Sequence, residues 1–172
     1  MSGCGRKAVI PGIRCVGLPE RMGGLQGQHP GGSFLGPAAR PLQQHPAYGL
    51  LRATIRGLRV HAPAAYPVIV RSGVNLPPDT DAYCTRRPSR FVIMLGQHLD
   101  PRAAVEAVLH EWAHARGWSH RHDRAVVDMA AGRINDAEFE VLVHDSTWGV
   151  EFAACWRVFT GVVLPGYDPA EA

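Results

Sequence analysis

The stretch DPRAAVEAVLHEWAHARG, residues 100–117, decides the fold. Asp100 can accept hydrogen bonds from the free amides of a first helical turn. Pro101 suits the first helical position, where a missing N–H costs nothing, and Gly117 offers a left-handed stop. The pattern predicts a helix over 101–116. Between Ala107 and Ala115 the only charge is Glu111, so this helix is expected to be buried, exposing one working edge. A carboxylate carried into such surroundings is costly without a partner. His110-Glu111-Trp112-Ala113-His114 supplies one, because it is an HExxH pattern. A spacing of four residues puts both imidazoles on one helix face, one turn apart, where two nitrogens can hold a Zn²⁺ ion at about 2.0–2.1 Å. Glu111 stands beside them as the candidate general base, placed to take a proton from a water whose pKa zinc lowers toward ~7.

The pentapeptide alone would arise by chance in roughly 2% of chains with these His and Glu frequencies, so its setting has to carry the argument. A catalytic zinc commonly takes three protein ligands, and three downstream residues compete for the third place. His120 completes His110-Glu111-x-x-His114-x-x-Gly117-x-x-His120, the spacing of metzincins, with Met129 at a distance a methionine turn could occupy. The segment 124–131, however, reads as helix. His144 heads His144-Asp145-Ser146-Thr147-Trp148-Gly149 at the approach to the last helix. Glu151, inside that helix, would give a glutamate-liganded variant.

The segments 109–122 and 144–159 resemble the SprT-like zinc metallopeptidases, particularly small bacterial and phage versions. In that group HExxH is followed by a His-x-x-x-Trp or His-x-x-x-Phe element at the start of a helix, whose histidine is the third ligand. His144 and Trp148 match that element, and Trp156 extends the likeness, whereas Asp145-Ser146-Thr147 replace the commoner Gly-Pro-Glu. The resemblance implies an α+β minimal zincin in which a small sheet packs on the HExxH helix and a C-terminal helix. It also implies a peptidase with Zn²⁺ on His110, His114 and His144, a protein or peptide substrate, and a strand at 91–95, or its neighbour, lining the cleft.

Outward from this centre, Leu50, Leu51, Ile55, Leu58 and Val60 recur at helical spacing between Arg52, Arg56 and Arg59, predicting an amphipathic helix over 48–60. The β-branched and aromatic runs 66–70 and 91–95 read as strands, joined by a loop that carries Pro77, Pro78, Asp79 and Asp81. Helices are expected over 123–131, from about Asp136 to Leu142, and over 147–160, the last capped by Ser146 and stopped by Gly161. Trp148, Phe152, Cys155, Trp156 and Phe159 form a helical stripe best read as core. His120, Arg121 and His122 are expected in solvent, with Asp123 and Asp128 as candidate hydrogen-bond partners of ligating histidines. Residues 1–46 read as a Gly/Pro-rich leader with little order, 47–162 as the folded domain, and 163–172 as a short tail.

The 172 residues, 46% hydrophobic and 19% charged, are enough for one core and argue against wholesale disorder. No run approaches the ~18 apolar residues of a membrane span, and the first twenty residues lack the basic start and apolar run of a signal peptide. Cys4, Cys15, Cys84 and Cys155 form no CxxC pair, so a reducing cytoplasm is the expectation. The net charge of +3 hides an asymmetry: nine Lys or Arg against one acid up to residue 78, then nine Arg against fourteen acids. A basic arm of that kind allows contact with DNA. The alternative function is therefore a nucleic-acid-associated or regulatory protein with a structural zinc. The sequence sets no oligomeric state.

Overall fold

The computed structural model describes residues 38–74, 76 and 80–165. Among them are five helices and a four-stranded mixed sheet, an α+β arrangement. β1 (Ala38–Arg40) is followed by a single 3₁₀ turn (Leu42–Gln44) and α1 (Tyr48–His61). Then come β2 (Val68–Val74), β3 (Ala82–Arg87) and β4 (Arg90–Gly96). The helices α2 (Pro101–Gly117), α3 (His120–Ala130), α4 (Asp136–Val143) and α5 (Ser146–Val158) complete the chain, with a wide turn at Phe159–Val163.

The sheet order is β1-β2-β4-β3. β2 and β4 run parallel, while β1 and β3 pair antiparallel on the outside. Register puts Val70 and Cys84 on either side of Ile93, and Ser72 and Ala82 on either side of Leu95. Because side chains alternate along a strand, Val68, Val70, Cys84, Phe91, Ile93 and Leu95 point to one face and join the main core. α2 lies between that sheet and the helices α1 and α5. Enclosed on several sides, it buries an unbroken run from Ala107 to Ala115. Trp112 closes the packing, since its ring is 1% exposed and its Nε1–H donates to the Ala62 carbonyl at 2.9 Å. α3 and α4 form a smaller unit around Ala125, Phe139 and Val143.

Several boundaries differ from the sequence reading. The body begins by Ala38 rather than at 47, because Ala38–Arg40 pairs with Ser72–Val74 and the buried His45 ring binds the Gly96 carbonyl at 3.0 Å. The rest of the leader, residues 1–37, and the tail from 166 lie outside the described residues, as do Pro77, Pro78 and Asp79 of the expected loop. Downstream of that loop stands β3, an unexpected strand held by the two-residue Pro88-Ser89 turn to β4. Asp100 caps α2 as expected, accepting from the Ala103 amide at 2.8 Å. Gly117 is not a left-handed stop. The helix ends because Trp118 turns extended, and the only positive-φ glycine among the described residues is Gly132, at 66°. Asp145, not Ser146, caps α5 by accepting from Thr147 and Trp148 amides. Gly161 falls inside the wide turn rather than ending the helix.

Trp112→Ala should lower the stability of the metal-free chain by about 3–5 kcal/mol, through lost contacts and the hole left between α2 and α1. Urea unfolding would show it. A loss below about 1 kcal/mol would mean that α2 is not anchored through this ring.

Candidate metal centre

α2 sets His110 and His114 one turn apart on a single face, and packing leaves the two rings 5% and 3% exposed. His144 reaches the same point from a different direction. It caps the C-terminus of α4, and the next residue, Asp145, caps the N-terminus of α5. Its position is therefore fixed by two helix ends rather than by a loop. The Nε2 atoms of the three rings form a nearly equilateral triangle: His110 to His114 3.2 Å, His114 to His144 3.2 Å, and His110 to His144 3.0 Å.

Two nitrogens bound to one tetrahedral zinc at about 2.0–2.1 Å stand about 3.3 Å apart, so the observed edges suit a single ion. Protonation cannot supply the cation instead. Burial, then the neighbouring His144, lowers the His110 pKa to about 3. Burial, then His110, His144 and His122, holds His114 well below the usual imidazole value. At neutral pH these two buried rings are neutral, and neutral imidazole is the form that ligates a divalent ion. The three histidines can thus hold a metal ion, and they are the sole such group among the described residues.

Glu111 is fully buried beside the triangle, on the side of α2 that faces β3. Its charge adds to burial in raising the Cys84 thiol pKa well above the ordinary value. Glu111, His114, Cys84 and His122 border a cavity of about 20 Å³, room for one water. Trp148 roofs the histidines, its ring centroid 4.5 Å from His144, 4.9 Å from His110 and 5.6 Å from His114. Phe152 stacks on Trp148 at 4.9 Å and 13° and meets the His110 ring edge-on at 5.9 Å. The expected core stripe on α5 therefore also forms the wall of the centre.

The competing third ligands go elsewhere. α3 starts at His120, so the chain does not double back there. The His120 side chain stands fully in solvent, 3.7 Å from Asp123. Glu151 accepts from Arg116 Nε at 2.5 Å and ties α5 to α2, while Arg116 also donates to the Pro63 carbonyl at 2.9 Å. Asp123 binds Arg86 and accepts from Trp118 Nε1. Asp128 pairs with Arg124 and Arg133 at the surface. His122, expected in solvent, is 2% exposed and lies under His114, with ring centroids 6.1 Å apart. The missed residue is Glu140, whose Oε2 lies 2.9 Å from His144 Nδ1. An i, i+4 spacing to His144 was the one available signal for it.

Comparison of the chain with protein-family models, curated proteins and solved structures gave no match.

The depressed histidine pKa values link stability to pH. The unfolded chain takes up protons on these imidazoles as pH falls below about 6.5, whereas the folded chain refuses them. The metal-free protein should therefore lose stability progressively from pH 7 to pH 5. Melting temperatures that stayed level over that range, with His110→Ala behaving like the parent chain, would contradict the burial of neutral rings.

Proposed function

We propose that the chain is a zinc-dependent peptidase that hydrolyses peptide bonds, with Glu111 as general base. The observation that carries this reading is the triangle of Nε2 atoms with a buried carboxylate next to it on the same helix. Three protein donors leave a fourth position for water or substrate, the pattern of catalytic zinc, while structural zinc is closed by four. The group of donors within mutual reach stops at three among the described residues, which supports the catalytic form over a structural zinc in a regulatory protein. The likeness of HExxH and the His144–Trp148 element to SprT-like metallopeptidases supports the same chemistry.

When bound, zinc lowers the pKa of water and polarises a substrate carbonyl. Glu111 accepts the proton of the attacking water and afterwards delivers it to the leaving amine, one carboxylate serving as base and then acid. Burial sharpens both roles, because a carboxylate in a low-dielectric site interacts strongly with nearby charge. β4 is paired on both sides, so the neighbouring strand, β3, offers the outer edge next to α2. An extended peptide can add to such an edge through backbone hydrogen bonds, which gives affinity with little sequence demand. The basic residues Arg52, Arg56 and Arg59 share the solvent face of α1 and have no part in this chemistry.

Glu111→Gln should reduce turnover of an unstructured protein substrate by at least about 10²-fold while leaving the zinc content of the chain unchanged. Cleavage at the parent rate by a zinc-loaded Glu111→Gln chain would overturn the role given to this residue.

A further inference from the structure

His110 and His114 are held by the packing of α2, but His144 is differently placed. Its side chain is 20% exposed and hangs from the junction of two short-range caps. Trp148 confines one side of the ring. The other ring nitrogen, Nδ1, faces two acceptors belonging to one residue: the Glu140 carbonyl oxygen at 3.1 Å and the Glu140 carboxylate Oε2 at 2.9 Å. Two oxygens at that range require Nδ1 to carry the proton. Nε2 is then left with its lone pair, and Nε2 is the atom that completes the triangle with His110 and His114.

From this geometry we infer that Glu140 is a positioning residue for the metal centre. Its carboxylate selects the Nδ1–H tautomer of His144, fixes the ring angle, and makes Nε2 a stronger donor. Ligating histidines generally pass their second N–H to a carboxylate or carbonyl, and removing that partner weakens metal binding by about 10–100-fold. Glu140 is not itself a donor to the ion, since the converging set contains only the three histidines. The backbone carbonyl alone would orient the ring but carries no charge, so the carboxylate adds basicity as well as direction. This inference rests on reading the three histidines as a metal centre.

The test is zinc affinity, measured by competition with a chromophoric chelator, for the parent chain, Glu140→Ala, Glu140→Gln and Asp136→Asn. Glu140→Ala should bind zinc about 10–100-fold more weakly. Glu140→Gln should fall between, because its amide oxygen still accepts the N–H without the charge. Asp136→Asn removes an exposed negative charge one turn earlier on α4 and should stay within about twofold of the parent. Thermal unfolding of the metal-free Glu140→Ala chain should match the parent, which separates positioning from a loss of fold. Parent-like affinity in Glu140→Ala, or an equal loss in Asp136→Asn, would overturn the role of Glu140 while leaving the centre intact. A parent chain that binds no zinc would overturn both.

Discussion

The Nε2 atoms of His110, His114 and His144 converge to within 3.2 Å of one another, so that one metal ion could sit against all three. The rest of the structure is organised around that convergence. A helix buried on nearly every side holds two of the rings and keeps protons off them through desolvation. The same burial would strand Glu111 in apolar surroundings if it served no purpose there, because an ionised carboxylate loses much solvation on entering a core. Core and site are thus one construction: the residues that stabilise α2 also define the electrostatics of its polar edge.

The third ring shows how short elements achieve precision. α4 has eight residues and would be marginal alone. Its start is secured by a reciprocal cap between Asn135 and Glu138, and its apolar side rests on α3 through Phe139 and Val143. Asp145 then begins α5 at once. A histidine between two such ends has little backbone freedom, and Trp148, one turn into α5, restricts its side chain. The Arg116–Glu151 pair joins α5 to α2, so the spacing between His144 and the two histidines of α2 is set by direct helix contact.

Much of this was legible in residues 100–117, where cap, proline and periodicity agree, and the two histidines of HExxH needed only helical geometry to be placed together. The amphipathic α1 and the apolar runs in β2 and β4 were also readable from their spacing. Other features had no local signature. β1 is three residues, Ala38–Arg40, whose extended form comes from pairing with β2 rather than from propensity. β3 mixes Ala82, Tyr83 and Cys84 with Arg86 and Arg87, a pattern that becomes a strand only beside β4. Choosing among His144, His120 and Glu151 required tertiary contacts, since His120 is spaced as well as His144 in sequence and Glu151 is diverted by Arg116 from another helix. His122 read as a solvated group because its burial beneath His114 comes from tertiary packing, and Glu140 drew no reading because an i, i+4 spacing to His144 is common on helices and marks no partner by itself.

The most direct measurement is X-ray absorption at the zinc edge on the purified, zinc-equilibrated chain, together with its metal stoichiometry and the same data for His144→Ala. The account predicts about one zinc per chain, with three imidazole nitrogens at about 2.0–2.1 Å and one further oxygen donor, and the loss of one imidazole in the variant. A chain that retains no zinc, or a shell of imidazoles left unchanged by His144→Ala, would contradict it.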